Sequence, residues 1–251
     1  GFLPTNNLNQ IFLKENYIIL AFVLLIPTLN IFLLFNLYDR KKIINHHQED
    51  LFLIIFISIL SFIMFYTLEN TKISEIVINI ISSISNSGLT FTKSSDETIL
   101  FIILCVVGGS LISNSSGIKF TRMYILIKTA FAEILKLVRP NNVFNNTIFY
   151  SDRKIDNQVV NLSFLIFISF FISTFILSSV LILDNINFEN SFKLSILTLT
   201  NTTNSSLYGL DNIIFTNFLD STKIFLIIFM IIGKIELLSI FILFKKIFLK
   251  E

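Results

Sequence analysis

The sequence predicts an all-α protein that crosses a membrane several times, and two observations predict it. Of the 251 residues, 53% are hydrophobic and 14% are charged, and the mean hydropathy is +0.78. Soluble domains carry about 25% charged residues, and disordered chains are far less apolar. The apolar residues also form runs that are long enough for helices across a hydrocarbon layer about 30 Å thick. A soluble enzyme is therefore close to excluded.

The residues that carry chemistry in soluble proteins form no recognisable site. The single cysteine, Cys105, lies within an apolar run, which excludes a disulfide framework or a metal-site spacing. His46 and His47 are adjacent in a charged loop, a pattern typical of solvated residues. The net charge of +2, without a basic patch among aromatic residues, argues against nucleic acid. We expect no enzymatic activity and no cofactor bound by this chain.

Several apolar runs have the length of membrane spans. They comprise residues 17–36, 51–68, 161–183 and 222–249. Pro27 is expected to be a tolerated kink in the first span. The apolar run 98–112 is short, and its end overlaps the Gly/Ser-rich segment 108–117. The segments 74–85 and 188–199 are too short to cross, and a polar turn follows each, so we predict re-entrant half-helices.

The charged residues indicate the orientation. Thirteen of the nineteen Lys and Arg residues fall in 37–50, in 113–160 and after residue 244. The positive-inside rule then places 37–50, 119–160 and the C-terminus in the cytoplasm. Both half-helices enter from the outer face.

The order span, half-helix, polar turn, span occurs twice. We predict one repeat in 51–140 and one in 161–251, joined by a cytoplasmic linker, 141–160. Residues 1–50 have the pattern of the end of a preceding repeat, and because the chain opens at Gly1 without Met, we expect a removed start or a piece of a longer chain. Four such units around a pseudo-fourfold axis would close an ion pore.

The polar turns have the composition of a carbonyl-lined filter. A re-entrant helix directs its C-terminal carbonyls toward the membrane centre, and such carbonyls can replace the hydration shell of a monovalent cation. In Ser85-Asn86-Ser87-Gly88-Leu89, Gly88 suits a turn that needs a positive φ. For either turn alone, an ordinary loop is the alternative.

Several motifs together resemble the Trk/Ktr/HKT superfamily of potassium transport subunits. SEIVINIISSISNSGLTF and GGSLISNSSGIKFTR are similar to that family's third repeat, in which a half-helix ends in TTGF and a broken helix contains GGGIK. ILTLTNTTNSSL and IIGKIELLSIFILF are similar to its fourth filter and last helix. Gly1-Phe2 and LIPTLNIFLLF resemble the end of its second repeat. The resemblance covers nearly the whole chain and corresponds to the C-terminal part of a family member.

The resemblance implies potassium uptake across a bacterial cytoplasmic membrane, driven by the membrane potential or by coupled ions. It implies a filter that holds K⁺ as the only metal, lined by the carbonyls of Gly1, Asn86, Ser87, Gly88, Thr202, Thr203 and Asn204. It implies a gating loop that contains Gly108, Gly109, Ser110, Gly117 and Lys119. Contact with membrane lipid, a homodimer and a cytoplasmic nucleotide-binding regulatory subunit are implied as partners.

Departures from the family pattern leave alternatives open. Asn204 stands where the fourth filter normally has Gly. Ile112, Ser115 and Ser116 replace further glycines, so we expect a stiffer gating loop. The alternatives are a poorly selective monovalent cation pore, and a diverged non-conducting remnant or assembly subunit of the same fold.

Two charges lie within the last apolar run, where isolation in hydrocarbon costs several kcal/mol. Lys234 stands where the family has a basic residue that projects into the pore below the filter, so we predict that it forms an electrostatic barrier. The alternative is a pair with an acidic neighbour in an assembly contact. Residues two apart on a helix do not face each other, so Lys234 and Glu236 are expected to have different partners.

Overall fold

The computed structural model describes residues 17–36, 47–67, 72–89, 97–139, 147–148, 155–202, 206–210, 213, 215 and 218–235. Within these ranges it contains α1 (Tyr17–Leu25), α2 (Leu33–Asn36), α3 (Gln48–Thr67), α4 (Ile73–Ser85), α5 (Thr98–Val107), α6 (Phe120–Val138), α7 (Asn157–Ile182), α8 (Phe188–Leu199) and α9 (Asp220–Ile235). The order span, half-helix, helix therefore occurs as α3–α4–α5 and again as α7–α8–α9.

In the part of the chain that the structure describes, α3 and α7 are the two helices long and apolar enough to cross a membrane by length and composition. Only 28% and 39% of their apolar windows are buried. Large side chains such as Phe62 and Phe175 are exposed on them, whereas Ser61, Thr174 and Ser178 are buried. An apolar exterior over a partly polar interior is expected where hydrocarbon surrounds the helices.

The half-helices α4 and α8 lie inside the helical assembly, within one residue of their predicted bounds. Every residue from 78 to 85 of α4 is buried. Helix α4 packs against α1, α3 and α5, and α8 packs against α5, α7 and α9. Glu75 and Glu189 lie in the first turns, near the positive helix ends. The ammonium of Lys193, which donates to Glu189 at 2.5 Å, lowers the pKa of that carboxyl.

The prediction of one continuous span over 17–36 is wrong. Helix α1 ends at Leu25, a 3-10 turn covers Ile26–Thr28, and Leu29 is extended before α2 begins at Leu33. Pro27 lacks an N–H and its ring clashes with the preceding turn, so the helix stops instead of bending. The break frees backbone carbonyls for partners elsewhere in the fold.

Candidate filter turns and gating loop

Helix α4 ends in a cap with a left-handed residue. The Ser87 N–H donates to the Ser82 carbonyl at 3.1 Å, and the Asn86 N–H donates to the Ser83 carbonyl at 3.2 Å. Asn86 has φ 57° and ψ 30°. The two bonds form a Schellman motif, in which asparagine is the usual substitute for glycine.

Helix α8 ends in the same cap. The Thr202 N–H donates to the Leu197 carbonyl at 2.9 Å, and the Asn201 N–H donates to the Thr198 carbonyl at 3.1 Å. Asn201 has φ 55°. Two half-helices from different repeats therefore end with one geometry, and each leads directly into a predicted filter turn.

The caps relate the two repeats at the point where each half-helix ends. Asn201 occupies the position of Asn86, so Thr203 follows its cap by two residues, as Gly88 does. The resemblance places Asn204 opposite Gly88, and this alignment stays a prediction, because Thr203 and Asn204 lie outside the described residues.

The first filter turn folds back onto its own half-helix. The Ser82 hydroxyl donates to the Leu89 carbonyl at 2.6 Å and lies 3.0 Å from the Ser87 hydroxyl. Gly88 has φ 69°, as expected for a residue that needs the left-handed region. Ser82 has no exposed surface, so the turn is closed by a buried side chain that the sequence motifs did not single out.

Segment 108–117 forms a loop whose two ends meet. The Phe120 N–H donates to the Gly109 carbonyl and the Ile118 N–H donates to the Val106 carbonyl, both at 2.9 Å. Gly108 and Gly117 have φ 67° and 92°. The loop therefore interrupts one helix, as predicted, and its C-terminal end lies next to its N-terminal end.

The broken first span supports this loop. The Ser110 N–H donates to the Thr28 carbonyl at 2.9 Å, and the Ser115 N–H donates to the Pro27 carbonyl at 3.2 Å. Gly109 lies directly against the Thr28 backbone, so no side chain fits at that position. The carbonyls of Pro27 and Thr28, which lie beyond the end of α1 and outside its hydrogen-bond ladder, thus hold the loop.

Two further helices contact the loop. The Glu49 carboxylate on α3 accepts the Leu111 N–H at 2.7 Å. The Lys234 ammonium on α9 donates to the Asn114 carbonyl at 2.8 Å. The loop is therefore held from the 3-10 turn after α1, from α3 and from α9, which belong to the three repeats predicted from the sequence.

Helix α9 also contacts the end of α8 and its cap. The Asn201 amide donates to the Met230 carbonyl at 2.9 Å, and Gly233 lies against the Leu199 backbone. Lys234 follows Gly233, which packs against the end of α8. The hydrogen bond from Lys234 to Asn114 therefore connects this region to the loop. In the described residues, the hydrogen-bond partner of Lys234 is the Asn114 carbonyl.

Lys119 is the internal cation of the loop. Its ammonium donates to the Ser113 carbonyl (2.9 Å), the Ser113 hydroxyl (3.1 Å) and the Ser115 carbonyl (2.5 Å). The residue is 3% exposed and has φ 83°. Ser115 also accepts the Gly109 N–H at 2.8 Å through its hydroxyl.

Replacing Lys119 by methionine should loosen the loop. Each hydrogen bond to a charged donor contributes about 1.5–3 kcal/mol, so amide exchange in residues 109–118 should accelerate about tenfold or more. Hydrogen exchange of the reconstituted protein measures this. The control is Lys128→Met, which removes a lysine that donates to the Thr147 carbonyl outside the loop. Equal loop protection in both variants would contradict the assignment.

The expectation of a solvated His47 is wrong. His47 is 2% exposed; its Nδ1 lies 3.1 Å from Asp50 and its Nε2 lies 3.0 Å from the Asn36 amide. Asp50 also accepts the Asn30 N–H at 2.9 Å. Asp50 follows His47 by three residues at the start of α3. That spacing was the sequence signal from which the pairing of the two side chains could have been predicted. The pair ties α3 to the segment after the Pro27 break.

Several predicted site residues lie outside the described residues. These are Gly1, Thr203, Asn204 and Glu236. Asn86, Ser87, Gly88 and Thr202 lie on the two caps, and the predicted loop residues lie together in one loop.

These features define a class: an α-helical membrane protein built from repeated units of span and re-entrant half-helix, with one helix broken by an intramembrane loop. The fold is similar to the crystal structure of the potassium transporter TrkH from Vibrio parahaemolyticus, with a TM-score of 0.81 and 21% sequence identity. The likeness covers 97% of this chain and 55% of that chain, so this chain spans about half the length of the transporter. No protein-family model and no curated protein matches the sequence.

The likeness confirms the predicted fold class and, at the level of the fold, the resemblance to Trk-type subunits.

Proposed function

We propose that the chain forms part of a pseudo-fourfold pore for potassium uptake across a bacterial cytoplasmic membrane. The observation that carries this proposal is the pair of identical caps at Asn86 and Asn201 within a TrkH-like fold. The C-terminal end of each half-helix has a partial negative charge and leads into a carbonyl-rich turn, an arrangement suited to a dehydrated monovalent cation. The turns at 86–88 and 202–204, with Gly1 from the preceding repeat, would form the filter, and K⁺ would be the transported ion.

The loop 108–117 would be the gate of this pore. Its contacts with the 3-10 turn after α1, with α3 and with α9 support this role, because a loop held by separate elements can be released when they move apart. Opening would separate Lys234 from Asn114 and Glu49 from Leu111. The Lys119 bonds would keep the loop compact while it moves.

The partners and the orientation belong to the same proposal. The exposed apolar faces of α3 and α7 support contact with membrane lipid. The distribution of Lys and Arg supports a cytoplasmic C-terminus. A homodimer, coupling to the membrane potential or another ion, and a cytoplasmic nucleotide-binding regulatory subunit are supported by the resemblance of the motifs.

A poorly selective monovalent cation pore is the second function supported by a specific observation. Counted from the caps, Gly88 in one repeat stands opposite Thr203 in the other. Unequal residues at equivalent filter positions make the carbonyl cage less symmetric, and potassium selectivity depends on that cage.

Growth of a potassium-uptake-deficient host in low potassium tests the proposal with the full-length protein. The wild type should restore growth, and Gly88→Ala should lower the rate of potassium uptake at least about tenfold, since a left-handed alanine costs about 1–2 kcal/mol and reorients the filter carbonyls. Gly209→Ala is the matched control, because Gly209 has φ 70° and an added Cβ meets nothing nearer than 3.4 Å. Sodium entry without rescue would favour the second function, and no flux of either ion would overturn both.

A further inference from the structure

A cluster of buried polar side chains lies where the two repeats meet. Its members are Ser83 on α4, Cys105 on α5, Thr202 in the cap of α8, and Tyr208 in the 3-10 helix over 206–208. Ser83, Cys105 and Tyr208 are 0% exposed, and Thr202 is 7% exposed. Polar groups buried in this way are expected to be hydrogen-bonded.

The contacts in this cluster form one network. The Cys105 thiol donates to the Tyr208 hydroxyl at 3.2 Å. The hydroxyls of Ser83 and Thr202 lie beside this pair. The Ser83 hydroxyl donates to the Asn79 carbonyl at 2.8 Å, and the Thr202 hydroxyl lies 2.6 Å from the Thr200 hydroxyl. In a low-dielectric interior such a network is stiff.

The cluster contacts both filter turns at their first residues. The Ser83 carbonyl accepts the Asn86 N–H in the first cap, and the Thr202 N–H closes the second cap. In a filter made of backbone carbonyls, the spacing and stiffness of the carbonyls decide which ion is preferred. A link between the two caps therefore acts on the spacing and stiffness of the filter carbonyls, which set the ion preference.

We infer that Tyr208 and Cys105 are positioning residues that fix the distance between the third- and fourth-repeat filter turns and thereby set the ion preference. The inference rests on the proposed function and names the residues, outside the filter itself, that tune it. Tyr208 lies in a polar connector by sequence and Cys105 in an apolar run, so neither stands out without the fold.

The test is the ratio of potassium to sodium permeability of the full-length protein in planar bilayers, read from the reversal potential. Tyr208→Phe keeps the ring and removes the hydroxyl, and Cys105→Val removes the thiol at similar size. Each should lower the ratio about threefold to tenfold, the range expected for the loss of one buried hydrogen bond. Cys105→Ser keeps a donor and should retain the ratio. The double variant should be no worse than either single variant, because both act through one network.

Thr174→Val is the matched control. The Thr174 hydroxyl is equally buried, but it donates to the Phe171 carbonyl of its own helix at 2.6 Å, so the ratio should not change. If Tyr208→Phe does not fold, the Cys105→Val and Cys105→Ser pair decides. A wild-type protein that passes neither ion overturns the proposed function. A wild-type pore that discriminates while both Tyr208→Phe and Cys105→Val keep its ratio overturns the inference alone, as does a pore without any discrimination.

Discussion

Substitution of Lys234 by methionine should raise the potassium flux of the full-length protein about tenfold, because a hydrogen bond from a charged donor contributes about 1.5–3 kcal/mol and 1.4 kcal/mol corresponds to one factor of ten. Two effects act in the same direction. The Lys234 ammonium donates to the Asn114 carbonyl in the loop, so its loss frees one of the loop's attachments. A cation beside the path also repels a cation that passes, and methionine removes that repulsion. Flux in proteoliposomes under an imposed membrane potential measures the change.

Two further variants separate the hydrogen bond from the charge. Lys234→Gln keeps a donor and removes the charge, whereas Lys234→Arg keeps both and should behave as the wild type. If the hydrogen bond dominates, the Gln variant resembles the wild type; if repulsion dominates, it resembles the Met variant. Lys223→Met is the control on the same helix, since Lys223 pairs with Asp220 on the surface. Unchanged flux and selectivity in Lys234→Met would refute the pore role.

Gly233→Ala should prevent close packing of the last helix against the fourth half-helix. A Cβ at Gly233 would collide with the Leu199 carbonyl, whose carbon and Cα would lie at 2.7 and 3.0 Å. These are backbone atoms of a buried helix and cannot rotate away, so α8 and α9 must separate. We expect a loss of about 3 kcal/mol of stability, which corresponds to a fall in Tm of about 6–12 °C for a chain of this size.

Thermal unfolding in detergent measures this effect, with potassium uptake as a second readout. Gly209→Ala is again the control, since its cost is limited to backbone strain of about 1–2 kcal/mol. The Tm is therefore expected to be highest for the wild type, lower for Gly209→Ala and lowest for Gly233→Ala. A Gly233→Ala protein with the wild-type Tm would show that the contact between α8 and α9 is looser than described.

The segments that local composition defines could be predicted from the sequence. The spans α3 and α7 follow from runs of apolar residues, which hydrocarbon requires over a fixed length. The half-helices α4 and α8 were predicted within one residue, because a short apolar stretch followed by a polar turn neither crosses the membrane nor remains in water. The loop at 108–117 was recognisable since glycine and serine interrupt an apolar run.

The prediction at Pro27 was wrong for a reason that composition cannot supply. Whether proline bends or ends a helix depends on whether the freed carbonyls find other donors. Here the loop amides of Ser110 and Ser115 provide them, about 80 residues along the chain from Pro27. Burial of His47 has a similar origin, because its partners Asn36 and Asp50 come together only when the broken span returns to α3.

The sequence by itself determined the membrane class, the two repeats and the positions of the half-helices and the loop, because hydropathy and turn composition are local properties. Only the tertiary structure decided the cap at Asn201, the hydrogen-bond partner of Lys234 and the cluster at Cys105. These depend on contacts between residues far apart in the chain, 120 positions for Lys234 and Asn114 and 103 for Cys105 and Tyr208. The packing of whole helices determines which residues form such pairs. A local sequence pattern therefore does not predict which distant residue will be the partner.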